Sequence, residues 1–346
     1  MRPRAPRLRD EVVTLAHGAG GRATAALVDR LFLEELRNPL LEPLGDAALL
    51  AADGLGGARL ALTTDSYVVK PLSFPGGGIG ELAVNGTVND LAVSGARPLA
   101  LSAGFVVEEG FPVAELRRVA AAMAAAARAA GVPVAAGDTK VVERGKADGL
   151  YLNTAGVGVV AAGVALGPER ARPGDRVLVS GTIGDHGVAV LVARGELALE
   201  ADLASDTAPV LELASALLEL GPALRFMRDP TRGGLATTLN ELAAQAGLAV
   251  RIAEDALPVR REVAGACELL GLDPLYVANE GKLVAVVAPE AAEEALARLR
   301  ALPLGAEAAL VGTVEAEPEG LVVLDTRLGG GRIVDMLVGD PLPRIC

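Results

Sequence analysis

Ile79-Gly-Glu-Leu-Ala-Val-Asn-Gly-Thr-Val-Asn-Asp-Leu-Ala-Val-Ser94 decides how the chain is read. Its length and apolar spacing predict a helix, with Leu82, Ala83 and Leu91 supplying an apolar side. Glu81, Asn85 and Asn89 recur at i, i+4 and i+8 and so share another face, and Asp90 follows directly. Asparagine and aspartate suit helix interiors poorly, because their short side chains compete for the backbone's own hydrogen bonds. A plain solvated face would carry Lys, Arg and Glu instead. This polar face is therefore expected to look toward a ligand.

Strand patterns flank the helix. Residues 47–51 and 59–63 precede it, and 97–107 follow it. An Ala-rich helix spans 113–130, closed by Gly131, and strands are expected at 132–136 and 150–162. The turn Arg172-Pro-Gly-Asp175 marks a boundary. Beyond it come a strand at 176–180, a helix opened by Gly184-Asp-His-Gly187 and a helix over 207–219. A helix following Gly234, a strand at 248–252 and a helix at 259–271 come next. The pattern ends with a strand at 282–287, a helix at 289–301 and strands near 309–314 and 320–324. β and α elements alternate throughout, so the fold class is α/β or α+β. The expected organisation is a basic tail at 1–10, domains at 11–166 and 167–338, and a flexible tail at 339–346.

Bulk composition sets limits. Apolar residues make up 51% of the 346 positions, but aromatics are 2% and Trp is absent, so the core must be built from Ala, Val and Leu. A net charge of −12 gives no basic face for nucleic acid. No run of 18 apolar residues spans a membrane, and the basic N-terminus has no signal-peptide core behind it, so a cytoplasmic protein is expected. The two cysteines are too far apart in sequence to suggest a disulfide framework. Cys267 sits on an apolar helical pattern and reads as core. Cys346 is the terminal residue, after Pro341 and Pro343, on a tail that burial does not explain.

Acids recur next to glycines and strand ends. Asp46 precedes the first strand, Asp65 follows the second, Asp90 lies on the polar helix face, and Asp138 stands in Gly137-Asp-Thr-Lys-Val141. Four converging carboxylates repel unless a cation holds them, and oxygen ligands without His or Cys favour Mg2+. Lys140 and the glycine loop His17-Gly-Ala-Gly-Gly21 extend this into a site for nucleotide phosphates. There is no GxxxxGK[ST] P-loop. A second loop-to-helix junction, Arg228-Asp-Pro-Thr-Arg-Gly-Gly234, also suits an anion.

Taken in order, His17-Gly-Ala-Gly-Gly21, Thr63-Thr-Asp-Ser66, Asn85-Gly-Thr-Val-Asn-Asp-Leu-Ala92, Ala136-Gly-Asp-Thr-Lys-Val141, Arg228-Asp-Pro-Thr-Arg-Gly-Gly234, Asn279-Glu-Gly281 and Pro343-Arg-Ile-Cys346 resemble the HypE family of hydrogenase maturation factors. The internal motifs alone resemble the wider aminoimidazole-ribonucleotide-synthetase (PurM-like) superfamily. The terminal Pro-Arg-Ile-Cys selects HypE.

The resemblance implies a two-domain PurM-like fold, a homodimer, and ATP bound beneath the N-terminal loop. It implies ATP-dependent dehydration of a carbamoyl group on Cys346 to a thiocyanate. HypF would load the carbamoyl group, and HypC and HypD would pass the cyanide to the iron of [NiFe]-hydrogenase. Gly18, Gly20, Gly21, Asp65, Asn85, Asp90, Asp138, Thr139 and Lys140 are then expected at the nucleotide. Asp46, Asp65, Asp90 and Asp138 are expected at Mg2+. Glu280 is the candidate base, with Lys140 or His17 as alternates, and Arg232 would steer the phosphorylated intermediate. Where related chains often carry two adjacent acids, this one has Gly45-Asp46-Ala47, which leaves the number of metal ions open. A PurM-like enzyme acting on a free small molecule, or a nucleotide-sensing scaffold, are the rival readings.

Overall fold

The computed structural model describes residues 10–51, 54–195, 203–339, 342 and 344–346. The basic tail at 1–9 and the tail prolines Pro341 and Pro343 lie outside the described residues. After a helical run comprising α1 (Arg22–Leu27), a π-turn at Val28–Phe32 and α2 (Leu33–Leu36), the chain enters its first sheet. That region contains β1 (Ala48–Ala51), β2 (Arg59–Tyr67), a short ribbon of β3 (Ser73–Phe74) and β4 (Gly77–Gly78), α3 (Ile79–Val93), β5 (Ala96–Glu108), α4 (Val113–Ala130), β6 (Val134–Val142) and β7 (Leu150–Val160). The five-stranded sheet has the order β1-β2-β7-β5-β6. β5 and β6 run parallel and α4 makes the crossover between them; the other pairs are antiparallel.

Two strands outrun their sequence signals. β2 continues to Tyr67 and β6 to Val142, so Asp65 and Asp138 lie inside strands and not beyond their ends. The cause is pairing: Asp65 sits opposite Thr154 of β7, and Asp138 opposite Gly104 of β5. A long neighbour carries the ladder past residues of low strand propensity.

The helix at 79–94 forms as α3, but it is buried on nearly every side, and so has no solvated face. Leu82 and Leu91 have no exposed surface, and truncating either to Ala would cost about 2–5 kcal/mol. Gly86 is required on this helix, because a Cβ there would run into the Tyr67 hydroxyl. That hydroxyl donates to Asp65 Oδ2 at 2.8 Å.

The second sheet contains β8 (Arg176–Val179), β9 (Leu224–Arg228), β10 (Ala249–Ala253), β11 (Val284–Val287), β12 (Ala309–Glu315), β13 (Val322–Asp325) and β14 (Gly331–Val334). Its order is β14-β13-β10-β12-β8-β11-β9. The helices are α5 (Asp185–Ala193), α6 (Leu211–Leu218), α7 (Gly234–Ala246), α8 (Arg261–Leu270) and α9 (Ala292–Arg300). α7 covers one face and α6 with α9 the other, which explains why β11 is buried at all four positions. β9 and β14 carry no clear strand signal in the sequence and form by pairing at the sheet's two edges. α5 and α8 pack instead toward the first domain, in one core with α3 and α4. Leu342 and Ile345 of the tail are buried in that same core. Among the described residues, no helix is long and apolar enough to cross a membrane.

Candidate active site

Three carboxylates meet where the two domains face each other. Asp46 arrives from the loop before β1, Asp90 from α3, and Asp229 from the end of β9, and their oxygens lie within 4.8 Å of one another. Asp229 is not among the acids expected at the metal; its sequence signal is an acid held extended by the following Pro230. Burial, with Asp46 next to it, pushes the Asp229 carboxyl up to about 8. Burial and then Asp229, Asp65 and Asp46 hold Asp90 well above the usual carboxylate range. Against these acids stand Arg228, 2.9 Å from Asp46, and the Thr63 hydroxyl, which donates to Asp90 at 2.6 Å. One buried and two half-buried acids with raised proton affinity and hard oxygen donors fit a divalent cation.

The polar face of α3, expected to look toward a ligand, is largely engaged by the second domain. Asn89 Nδ2 donates to the carbonyls of Ala208 (3.1 Å) and Glu280 (3.0 Å), and its Oδ1 accepts from the Val210 amide at 2.8 Å. Asn89 thus ties α3 to the second domain. Asn85 donates to Thr207 Oγ1 at 3.2 Å, while its buried Oδ1 has no hydrogen-bond partner.

Residues 344–346 are seated against the first domain. The Val68 amide donates to Cys346 O at 3.1 Å, and the Lys70 amide donates to Arg344 O at 3.2 Å. Arg232 Nε donates to Cys346 Sγ at 3.2 Å, and its Nη1 donates to Gly18 O at 2.6 Å. Burial raises the Cys346 thiol to about 11; Arg232 opposes that rise, and Glu280 and Asp65 add to it. Glu280 is 3% exposed, and burial followed by Asp65, Asp206 and Asp229 lifts its carboxyl well above the usual range. Burial likewise raises Asp65. The place beside the thiol is not filled by its sequence neighbour Arg344, which pairs with Asp148. Arg232 takes that place because the loop 229–233 delivers it from the second domain.

The glycine loop contributes by close approach. Gly20 has φ +76°, and a Cβ there would lie 2.7 Å from the Arg232 carbonyl oxygen. Gly21 is similarly tight against Leu337, while Gly18 has open space around it. His17 is committed locally: its Nδ1 accepts from the Thr14 amide at 3.0 Å, and its Nε2 faces Asp10 at 3.4 Å.

Asp138, Thr139 and Lys140 lie elsewhere. They occupy exposed positions on β6, which ends the first sheet, and Lys140 pairs with Asp138 at 3.2 Å. Asp138 is not in the acid cluster of its own chain.

Comparisons with known proteins agree with this architecture. Residues 44–160 match the family of AIR synthase related protein, N-terminal domain, and 172–325 match its C-terminal domain. The chain is 54% identical over 339 residues to carbamoyl dehydratase HypE of Azotobacter vinelandii, covering 98% of each. The chain belongs to the HypE family of carbamoyl dehydratases. A crystal structure of HypE in complex with ATP is 49% identical, with TM-score 0.80, covering 97% of this chain and all of that one. HypE in a HypE–HypF complex is 47% identical, with TM-score 0.85, covering 90% of this chain and all of that one. The PurM-like fold and the HypE family thus stand as the sequence motifs implied.

Proposed function

We propose that the protein uses ATP to dehydrate a carbamoyl group carried on Cys346, giving a thiocyanate that supplies cyanide to the iron of [NiFe]-hydrogenase. The observation that carries this reading is the position of the Cys346 sulfur. It lies 3.2 Å from Arg232 Nε, and its proton affinity responds to Glu280 and Asp65. Asp229 of the acid cluster in turn raises Glu280, and Asp65 raises Asp90.

The chemistry follows from the atoms. The amide oxygen of the S-carbamoyl group attacks the γ-phosphorus of ATP, releasing ADP and losing one N–H proton. Breaking the C–O bond then expels phosphate, and loss of the second N–H proton completes the C≡N bond. Phosphorylation is needed because an amide oxygen is otherwise a poor leaving group. Glu280 is the proposed base: a carboxylate whose proton affinity is raised by burial takes a proton more readily. Arg232 would hold the phosphorylated oxygen, and Asn85 has an open acceptor for an amide N–H. Asp46, Asp90 and Asp229 would hold Mg2+, with Asp65 behind them; the ion would offset phosphate charge. The Gly18–Gly21 loop would border the triphosphate. Tethering removes any need for substrate affinity, since the arm sets the effective concentration.

The protein would work as a homodimer in the cytoplasm. β6 supports this, because its residues are exposed and it ends the sheet, including Val141 at 69% exposure. In such an assembly Asp138, Thr139 and Lys140 would reach a nucleotide site from β6 of a second copy. HypF would load the arm, and the HypC–HypD complex would receive the cyanide.

The test is mass spectrometry of the C-terminal peptide after incubation with carbamoyl phosphate, HypF and ATP. The carbamoylated peptide should lose the mass of one water in step with ATP hydrolysis, and Cys346→Ala should abolish the product while keeping nucleotide binding. ATP consumption with the carbamoyl mass retained, or a modification at Cys267, would refute the reading.

A further inference from the structure

The second of the chain's two histidines has no part in the chemistry above, yet it touches the carrier end. His186 lies on α5 and is completely buried. Its Nε2 is 3.0 Å from the carbonyl oxygen of Ile345, and its Nδ1 is 2.8 Å from Ser205 Oγ. A carbonyl can only accept, so Nε2 carries the proton and Nδ1 accepts from the Ser205 hydroxyl. Burial lowers the proton affinity of His186, in keeping with a neutral ring. Ser205 Oγ accepts from the Thr207 amide at 3.1 Å, and Thr207 Oγ1 accepts from Asn85 at 3.2 Å. The Phe74 ring packs edge-on against the imidazole at 5.5 Å. A fixed chain of bonds therefore runs from α3 to the last peptide unit of the protein.

Arg194, just past the end of α5, adds a second hold. Its Nη2 donates to Arg344 O at 2.7 Å and its Nε to Lys70 O at 2.9 Å. With the Val68 and Lys70 amides donating to Cys346 O and Arg344 O, residues 344–346 are held against 68–70 by four backbone-directed hydrogen bonds, counting the two from Arg194. The Ile345 carbonyl points to the other side and meets His186.

We propose that His186, oriented by Ser205, and Arg194 are positioning residues that latch the terminal three residues and aim the Cys346 sulfur at Arg232. This rests on the carrier-arm reading. The peptide unit before Cys346 is fixed through Ile345 O, and a terminal carboxylate oxygen after it is fixed by Val68. With the backbone held on both sides, the direction of the Cα–Cβ bond is set, leaving one rotation for the sulfur. Leu342 and Ile345 add buried apolar contact but cannot choose that direction.

The test uses the full chain with iodoacetamide as probe. Alkylation of Cys346 is followed by peptide mass, and the buried Cys267 in the same molecule reports global opening. His186→Ala should alkylate Cys346 about tenfold faster, with Cys267 unchanged, as expected when one buried hydrogen bond is lost. His186→Gln, whose amide can still donate to Ile345 O, should restore most of the protection. Arg194→Ala should give an increase of about threefold. Equal rates in His186→Ala and wild type, or no rescue by His186→Gln, overturn the latch. Should His186→Ala fail to fold, Ser205→Ala and Arg194→Ala decide, and wild-type rates in both also overturn it. Failure of the dehydratase reading shows separately: a wild-type arm that is loaded but keeps its carbamoyl mass with ATP refutes that reading and leaves the latch intact.

Discussion

Two acid-bearing regions of the first domain look alike in sequence and differ in every physical respect. Asp90 and Asp138 each stand in a short polar run among small residues. Asp90 faces Asp46 and Asp229 in a buried cleft, and its carboxyl is held well above the usual range. Asp138 lies on an exposed strand, where the hydrogen bond from Lys140 holds it below that range. The residue type is the same, but the number of elements converging on it differs. Burial and neighbouring acids raise the one, and an exposed lysine lowers the other.

The largest expected effect breaks this comparison on the buried side. Asp90→Asn removes a central charge of the cluster, and Mg2+-dependent ATP turnover should fall about a hundredfold, with the circular dichroism spectrum unchanged. Turnover at low Mg2+ equal to wild type would show that Asp90 is not a metal ligand.

Next comes the exposed side. If a second copy covers β6, then Val141→Arg places a charge in that interface. Light scattering at micromolar concentration should then change from a dimer mass to a monomer mass, with turnover falling about tenfold if Asp138 and Lys140 act across the interface. A monomeric wild type would remove the homodimer, and with it any role for these two residues at the nucleotide.

How much of this was legible follows from the same contrast. The helix 79–94 is legible because its apolar spacing is a local property, and Cys346 because of its motif; that the end of the chain is seated, with Leu342 and Ile345 in the core, is not legible, since it depends on distant partners. The convergence of Asp229 with Asp46 and Asp90 was not legible, since it depends on how β9 meets the other domain. Asn89 departs from the expected ligand-facing role because a buried helix can satisfy an asparagine with distant backbone, here at Ala208, Val210 and Glu280. β9 and β14 are not legible because sheet edges form by pairing more than by pattern. His186 gave no signal at all, as its partner Ile345 lies 159 positions away.

A smaller effect sharpens the electrostatic half of the comparison. Asp229 has a folded value of about 8 against an ordinary value of 3.8, so the folded chain binds more protons than the unfolded chain between them. Stability must therefore fall as pH rises through that window. Without Mg2+, moving from about pH 6 to about pH 9 should cost the wild type on the order of 2 kcal/mol more than Asp229→Asn, read from urea midpoints. Adding Mg2+ at about pH 7 should expel the proton, visible as buffer-dependent heat in calorimetry. Parallel pH dependence in the two proteins would show that Asp229 is not the group being titrated.

The smallest expected effect is on the exposed pair itself. Lys140 and Asp138 are both largely in solvent, where an ion pair gains little over hydration and is screened by salt. Lys140→Ala and Asp138→Asn should therefore leave the melting temperature unchanged in the presence of salt. Stability and function come apart here: the same substitutions should lower ATP turnover if β6 reaches a second copy's nucleotide, because a lysine then loses a phosphate partner and not merely an exposed aspartate. Mixing Lys140→Ala with Asp90→Asn subunits separates the cases. In a mixed dimer one composite site lacks both residues and the other keeps both, so turnover should recover above that of either variant alone. If recovery is absent while mixed dimers are present, Lys140 does not act across the interface. The acid cluster between the domains and the exposed strand would then be two unrelated uses of acidic residues in one chain.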